Sequence, residues 1–255
     1  MYGYIPYLGS KGRIAEKIVE TLPAADSLVD IFAGGCSITT CASFSGKWNR
    51  ILCNDIHAST IELFKDCLAG KLDGDVDWVS RKEFFERVDN EQYIASVWSF
   101  GNRGREGGYM YSKELEPLKE ALHRHLQGDD TLYNQHLDFF KENPKFRLQH
   151  MERINQLRGI KVGDTPIEFS TKDYREVEIP DNSVIYCDPP YKNTKRYNKK
   201  DFDWDAFVDW AQRQTVPVYV SEYECNAGKE VASFDKLCSV GAQKLQKVER
   251  LFLLN

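Results

Sequence analysis

SLVDIFAGGCSITTCASF, residues 27–44, joins an apolar segment to a run of small residues through the glycine pair Gly34 and Gly35. This order predicts a buried strand, a tight turn, and a helix whose small side chains pack closely on a sheet. A helical pattern, KGRIAEKIVETLP (residues 11–23), precedes it, and a second apolar strand pattern, RILCNDIH (residues 50–57), follows it. Helix, strand, turn, helix and strand in this order are typical of the start of a parallel α/β sheet.

The pattern changes after residue 60, where charged helical periodicity dominates and is interrupted by the glycine-rich segment SFGNRGREGGYMY (residues 99–111). Strand patterns return after residue 160, together with one more helical pattern and an apolar tail. We therefore predict an α/β fold, a Rossmann-like sheet with a mainly helical insertion. The expected domains are residues 1–59 with 160–255 for the sheet, and residues 60–159 for the insertion.

The composition is that of a globular protein, with 42% hydrophobic and 29% charged residues in a chain of 255. No segment approaches the ~18 consecutive apolar residues of a membrane span, and the first residues lack a secretory pattern, so we expect a cytoplasmic protein. Seven cysteines and five histidines show no metal-ligand spacing, so we expect reduced thiols and no metal. His123 and His125 lie in a charged helical pattern that indicates solvent exposure. The oligomeric state is open, and a monomer is compatible with the sequence.

Two acids and two glycines fall where ligands bind in open α/β sheets. Asp30, Gly34 and Gly35 lie at the predicted carboxyl end of the first strand. Asp55 ends the second strand, where an acid can accept hydrogen bonds from ribose hydroxyls. The loop lacks the G-x-G-x-x-G pattern that a pyrophosphate requires, and this favours S-adenosylmethionine, which has no phosphate, over NAD. An ordinary strand-to-helix turn with both aspartates as caps fits the same residues about equally well.

The tetrapeptide DPPY, residues 188–191, follows another apolar strand pattern. Proline has a fixed φ and no N–H, so the carbonyls around Pro189 and Pro190 can point into a cleft in a rigid geometry. Asp188 adds a second acceptor, and Tyr191 adds a flat face for stacking. Two acceptors beside an aromatic ring suit the exocyclic amino group of a heterocycle, and they would stabilise positive charge as its nitrogen attacks a methyl group. A proline-stiffened turn with an exposed tyrosine is the alternative interpretation.

DPPY resembles the catalytic motif of DNA adenine-N6 methyltransferases, and the family's other landmarks occur in the same order. YIPYLGSKGRIAEKI (residues 4–18) is similar to its N-terminal motif, and DIFAGGCS (residues 30–37) is similar to its D-x-F-x-G-x-G cofactor loop. The resemblance is closest to the Dam-type group common in phages and prophages. It implies an S-adenosylmethionine-dependent methyltransferase sheet, a product S-adenosylhomocysteine, and catalysis by the DPPY residues. The implied cofactor-binding residues are Tyr7, Lys11, Asp30, Phe32, Gly34, Gly35, Asp55 and Asp173.

One position departs from the cofactor motif. Cys36 stands where the family has its last glycine. A cysteine is tolerated there if its φ is negative, and the departure leaves the cofactor affinity hard to predict.

A base inside a duplex cannot present its amino group to Asp188, so the resemblance implies that double-stranded DNA delivers a flipped-out base that stacks on Tyr191. The net charge of −5 argues mildly against nucleic acid, but affinity for DNA depends on where cations cluster. A basic run follows the motif and suits contacts with flanking phosphates, although a solvated charge run is the alternative. Its residues are Lys192, Lys195, Arg196, Tyr197, Lys199 and Lys200. Arg103 and Arg105, in a loop expected to order on binding, are further candidates. The resemblance also implies that the insertion recognises the target.

The sequence thus predicts an enzyme that methylates adenine N6 in DNA at a specific site. The same chemistry on cytosine N4, RNA or a protein amide is less favoured, because related enzymes that act on cytosine or glutamine tend to have Ser or Asn at the position of Asp188. A nucleic-acid-binding protein without catalysis is the alternative from another class, supported by Cys36 and the negative net charge.

Overall fold

The computed structural model describes residues 4–7, 9–190, 202–240 and 243–255, and for residues 236–240 and 243–247 it describes the backbone alone. The chain divides into two compact units. The first contains Ser10–Ile61 and Lys161–Asn255, and the second contains the described residues of Gly3–Gly9 together with Glu62–Ile160. None of the helices in the described part of the chain combines the length and apolarity that crossing a membrane requires.

The strands belong to the first unit. They are β1 (Ser27–Asp30), β2 (Arg50–Asn54), β3 (Ile167–Ser170), β4 (Ser183–Cys187), β5 (Val218–Glu222), β6 (Lys229–Val240) and β7 (Gln243–Leu253). Within the described residues they form one seven-stranded sheet in the order β3-β2-β1-β4-β5-β7-β6. Neighbours from β3 to β5 are parallel, whereas β7 is antiparallel to both β5 and β6. The predicted α/β class is confirmed, and β6 is the strand that the sequence patterns did not predict.

The α-helices of the described residues cover the sheet and build the second unit. They are α1 (Ala15–Thr21), α2 (Ser37–Ser43), α3 (Ala58–Leu68), α4 (Arg81–Arg87), α5 (Gln92–Trp98), α6 (Gly104–Gly107), α7 (Glu116–Leu126), α8 (Thr131–Gln135), α9 (Leu137–Glu142), α10 (Gln149–Arg158) and α11 (Trp204–Gln212). The second unit is therefore mainly helical, as the charged periodicity predicted.

The sheet is covered on both faces, which is why β1 and β4 are buried along their whole length. On one face, Ile18 of α1 and Ile38 of α2 belong to the same core as Leu28 of β1. On the other face, Phe207 of α11 shares a core with Val29. Adjacent residues of β1 thus face opposite helical layers, as the alternation of a strand requires.

The second unit has a buried histidine network at its centre. His123 Nε2 lies 2.8 Å from the carbonyl oxygen of Val76, His123 Nδ1 lies 3.0 Å from His150 Nε2, and His150 Nδ1 lies 2.6 Å from the hydroxyl of Tyr111. The carbonyl can only accept, so His123 is protonated on Nε2, His150 on Nε2, and the tyrosine donates. Burial lowers the pKa of His150 to about 3, which keeps it neutral. The expected exposure of His123 is wrong: it is 2% exposed because α7 turns this position inward.

Candidate active site

The carboxyl ends of β1 and β4 form the switch point of the sheet. From β1 the chain adds β2 and β3 on one side, and it then returns to add β4 and β5 on the other. Such a reversal opens a crevice beyond the strand ends. Asp30 ends β1 and Asp188 directly follows β4, and Asp30 pairs in register with Tyr186. The fold therefore brings the predicted cofactor loop and the predicted DPPY turn to the same end of two neighbouring strands.

Asp30 is a buried carboxylate, and only one of its two oxygens has hydrogen-bond partners among the described residues. It is 1% exposed, and its Oδ2 accepts hydrogen bonds from the backbone N–H of Thr39 at 3.2 Å and from the Thr39 hydroxyl at 2.7 Å. Its Oδ1 is buried and has no hydrogen-bond partner among the described residues. Burial, reinforced by the negative charges of Asp188 and Asp55, raises the pKa of Asp30 to about 7, although the bonds from Thr39 lower it. A buried acceptor without a partner suits a cationic donor that arrives with a ligand.

Asp55 fixes the glycine turn of the cofactor loop. Its Oδ2 accepts a hydrogen bond from the backbone N–H of Gly34 at 2.7 Å, and its Oδ1 accepts one from that of His57 at 2.9 Å. Gly34 has a φ of 48°, a left-handed conformation that glycine adopts readily, and the buried Gly35 follows it. Burial raises the pKa of Asp55. Each carboxylate oxygen can accept a second hydrogen bond, so Asp55 can hold the turn and still receive donors from a ligand.

Cys36 follows the turn with a φ of 57° and a ψ of 27°. The condition that its φ be negative is therefore not met, because the N–H of Cys36 bonds to the carbonyl of Ala33 and α2 begins at the next residue. The left-handed conformation costs a non-glycine residue about 1–2 kcal/mol. Contacts of the buried side chain offset part of this cost: its Sγ lies 3.6 Å from the Gly34 carbonyl and 3.8 Å from Cys53 Sγ.

Replacing Cys36 by valine should strongly destabilise the protein, because a β-branched residue is a severe outlier at positive φ. We expect Cys36→Val to lower the free energy of unfolding by about 2 kcal/mol more than Cys53→Val, which places the same side chain in the regular strand β2. Urea unfolding of both variants measures the difference. Equal stability of the two would show that the strain at Cys36 is absent.

Asp188 is held in a charged cluster that reaches into the sheet. The Nζ of Lys11, a residue just ahead of α1, lies 2.5 Å from Asp188 Oδ2 and 3.6 Å from Glu249 Oε1 on β7. Lys11 is 2% exposed, Glu249 is 0% exposed and the Asp188 side chain is 20% exposed. The lysine expected at the methionine end of the cofactor thus contacts the expected catalytic acid directly, and it does so next to a second carboxylate.

The DPPY turn is also tied to α11. The indole Nε1 of Trp204 donates a hydrogen bond to the carbonyl of Pro190 at 2.9 Å. Trp204 is the first residue of α11, and Asp203 caps this helix by accepting a bond from the N–H of Ala206 at 3.0 Å. The aromatic ring of Trp204 packs edge-on against Phe207. The carbonyl of the second proline is therefore oriented by a rigid indole.

The remaining DPPY residue and the basic run lie outside the described residues. They are Tyr191, Lys192, Lys195, Arg196, Tyr197, Lys199 and Lys200. Their expected contacts with a flipped base and with DNA stay predictions from the sequence.

Two other expected cofactor residues of the first unit have neighbours of their own. Phe32 packs in an aromatic cluster, with ring centroids 5.7 Å from those of both Tyr174 and Phe207. Asp173 accepts hydrogen bonds from the side chain of Arg175 at 2.7 and 2.8 Å, and this ion pair lowers the pKa of Asp173. A ligand that uses Asp173 would share it with Arg175 or displace that guanidinium.

Tyr7, Arg103 and Arg105 belong to the second unit. Arg105 is committed to a local ion pair with Asp89 at 2.7 Å and donates to the carbonyl of Phe85. The Nε of Arg103 is buried and has no hydrogen-bond partner among the described residues. Of the two arginines predicted to contact DNA, Arg105 would have to exchange a protein partner for a phosphate.

Sequence patterns did not reveal Glu249 or Trp204. Glu249 lies in the tail strand pattern KLQKVERLFLLN, where an acid among charged neighbours looks exposed. Trp204 was part of a helical pattern, and no local signal connects it to Pro190.

In the described part of the chain, no group of three or more His, Cys, Asp or Glu side chains is placed so that it could hold a metal ion.

Comparison with known proteins agrees with this geometry. A family model described as D12 class N6 adenine-specific DNA methyltransferase matches residues 7–231. The type II methyltransferase M.FokI of Planomicrobium okeanokoites is 22% identical over 82% of this chain, and the match covers 32% of that protein's length. The retron Ec67 DNA adenine methylase of Escherichia coli is 24% identical over 85% of this chain and 75% of its own length. The chain thus spans about a third of the first relative and three quarters of the second.

Proposed function

The chain belongs to the D12 class of N6 adenine-specific DNA methyltransferases, and from this membership we propose that it transfers a methyl group from S-adenosylmethionine to N6 of an adenine flipped out of double-stranded DNA. The observation that carries the proposal is the meeting of Asp30 and Asp188 at the carboxyl ends of β1 and β4. One acid belongs to a glycine turn suited to a cofactor without phosphate, and the other begins the DPPY turn.

The cofactor loop fits S-adenosylmethionine in its donors and acceptors. The partnerless Oδ1 of Asp30 suits the ammonium group of the methionine part, because a charge-assisted hydrogen bond would satisfy a buried acceptor. Asp55, which already fixes Gly34, has the remaining acceptor capacity that ribose hydroxyls need. The small turn of Gly34 and Gly35 allows close approach of a ligand to the backbone. The cofactor is therefore assigned to the ends of β1 and β2.

Binding of S-adenosylmethionine should strengthen as the pH rises through the pKa of Asp30, which is about 7. Below this pKa the carboxyl carries a proton that must leave before an ammonium group binds, so binding releases a proton and is weakened by acid. We expect the Kd to fall roughly ten-fold between about pH 6 and about pH 8. Isothermal titration calorimetry across this range measures it. Asp30→Asn should bind more weakly and lose most of this pH dependence; an unchanged profile would remove Asp30 from the cofactor site.

At the DPPY turn, the carboxylate of Asp188 and the carbonyl of Pro189 would accept the two N–H groups of the target amine. These bonds hold the nitrogen closer to sp3 geometry, so its lone pair is less delocalised into the ring. When bound, S-adenosylmethionine supplies a methyl group whose bond to sulfur breaks as the bond to nitrogen forms, leaving S-adenosylhomocysteine. Asp188 stabilises the positive charge that develops on the nitrogen, and the surplus proton leaves to solvent after the transfer. Trp204 keeps the neighbouring Pro190 carbonyl turned towards α11.

We assign recognition of the DNA target to the second unit and the contacts with phosphates to the basic run after Tyr191. The first assignment rests on the family resemblance, because this group carries its target-recognition elements in an insertion at the corresponding place in the chain. The second follows from five cations within nine residues of the DPPY motif. The affinity for DNA at both interfaces is expected to fall as salt is added, because cationic side chains that bind phosphates release counterions from the DNA.

Transfer of labelled methyl groups tests the proposed class of substrate. The protein is incubated with radiolabelled S-adenosylmethionine and, in separate reactions, with unmethylated double-stranded DNA, with RNA and with a protein mixture. We expect acid-precipitable label in the DNA reaction alone. Label in RNA or protein at a higher rate than in DNA would overturn the assignment.

A further inference from the structure

Glu249 is a fully buried carboxylate in the strand β7, which lies between β5 and the edge strand β6. It is 0% exposed, and it lies two residues before Leu251, which belongs to the core beneath α1 and α2. Its Oε1 lies 3.6 Å from the ammonium nitrogen of Lys11. Burying a charge is costly unless it is paired, so the ion pair with Lys11 accounts for a carboxylate at this position. The pairing is not needed to build a strand, because an apolar side chain would fill the same place.

The ammonium group of Lys11 stands between two carboxylates. It lies 2.5 Å from Asp188 Oδ2 and 3.6 Å from Glu249 Oε1, so Asp188 is the closer partner. In the proposed reaction the amino group of the target base also donates to Asp188. Two donors then share one carboxylate, and Asp188 is a stronger acceptor for the amine when the ammonium group of Lys11 neutralises less of its charge. If the ammonium group moves away from Asp188, its buried positive charge still needs a compensating carboxylate nearby, and Glu249 is the one that the structure shows there.

We propose that Glu249 is a positioning residue that takes over Lys11 when Asp188 receives the target amino group. This inference rests on the proposed function. Because Glu249 already lies within reach, the ammonium group can shift from one carboxylate towards the other and stay paired throughout. Glu249 touches neither substrate nor cofactor in this arrangement; it acts through Lys11 and leaves Asp188 free to bind the amine.

The role depends on the charge of Glu249 and not on its shape, and two substitutions separate these properties. Glu249→Gln keeps the volume and loses the charge, so Lys11 stays on Asp188 and methyl transfer slows. Glu249→Asp keeps the charge but shortens the side chain, so it disturbs packing and preserves the second partner. If Glu249 had a purely structural role, the two losses of activity would have the opposite order, and Glu249→Gln would be tolerated better than Glu249→Asp.

Single-turnover methyl transfer at saturating DNA and cofactor measures the effect. We expect Glu249→Gln to slow the transfer by about thirty-fold and Glu249→Asp by at most about five-fold, with the Kd for S-adenosylmethionine within about two-fold of wild type in both. In a Lys11→Met background, adding Glu249→Gln should cause no further loss, because the residue acts through that lysine. Glu230→Gln serves as the control, since it removes a carboxylate from the neighbouring strand β6 that pairs with Arg250 outside the cluster.

Circular dichroism first checks that the variants are folded, so that a change in rate can be assigned to the loss of the carboxylate. Full activity of Glu249→Gln, a slower Glu249→Asp than Glu249→Gln, or an equal loss in the Lys11→Met background would each overturn the positioning role. The wild-type reaction separates this failure from failure of the function itself. If wild type methylates adenine and Glu249→Gln does so at the same rate, only the positioning role is refuted. If wild type transfers no methyl group to DNA, the proposed function is refuted.

Discussion

Replacing Asp188 by alanine is expected to slow methyl transfer to DNA by about a thousand-fold, because the substitution removes the carboxylate that we propose holds the amino group and stabilises its developing charge. The Kd for S-adenosylmethionine should stay within about three-fold, since Asp188 is not among the residues expected to bind the cofactor. Single-turnover kinetics and calorimetry measure the two quantities separately.

Two further variants test whether the loss belongs to this carboxylate. Asp188→Asn keeps an acceptor and the side-chain volume but not the charge, and we expect an intermediate loss of about a hundred-fold. Asp181→Ala removes an exposed acid from the loop before β4 and should leave the rate unchanged. A rate for Asp188→Ala within ten-fold of wild type would show that another group activates the amine.

Replacing Asp55 by alanine is expected to weaken S-adenosylmethionine binding by about a hundred-fold. The substitution removes the acceptors that we propose for the ribose hydroxyls, and it also leaves the N–H of Gly34 without the partner that fixes the turn. Hydrogen bonds to a charged group contribute about 1.5–3 kcal/mol each, and about 1.4 kcal/mol corresponds to a ten-fold change in Kd. Calorimetric titration with the cofactor measures the loss directly.

The rate at saturating cofactor should fall much less than the affinity, because Asp55 does not contact Asp188 or the target base in this account. Asp55→Asn retains one acceptor for the Gly34 N–H and should lose about ten-fold in affinity. Asp26→Ala, an exposed acid at the opposite end of β1, is the matched control. An unchanged Kd for Asp55→Ala would exclude this residue from the ribose site.

The sequence was most informative where a local pattern directly reflects the fold. The apolar runs around Asp30 and before Asp188 predicted two buried parallel strands, because strands covered by helices on both faces read as continuous apolar segments. The strand β6 escaped prediction for the opposite reason. Within the described residues it is an edge strand that pairs with β7, so polar and charged side chains such as Lys229 and Asp235 interrupt the alternation of apolar and polar residues along it.

The site could be predicted as a set of residues but not as a set of contacts. The pair of Lys11 with Asp188 joins positions 177 residues apart in the sequence, and neither residue predicts its partner. Glu249 is equally hidden, because its burial depends on the pairing of β7 with β5 and β6. The left-handed conformation of Cys36 arises from the turn that precedes α2, which a resemblance to a glycine position did not reveal.

The identity of the methylated nucleoside distinguishes adenine N6 from the other possible target atoms in DNA. Unmethylated duplex DNA is incubated with the protein and S-adenosylmethionine carrying a deuterated methyl group, digested to nucleosides, and analysed by mass spectrometry. We expect deuterated N6-methyladenine in the wild-type reaction and none with Asp188→Ala. Deuterium in N4-methylcytosine, or none in DNA despite cofactor binding, would contradict the claim that Asp188 and the Pro189 carbonyl hold the amino group of adenine.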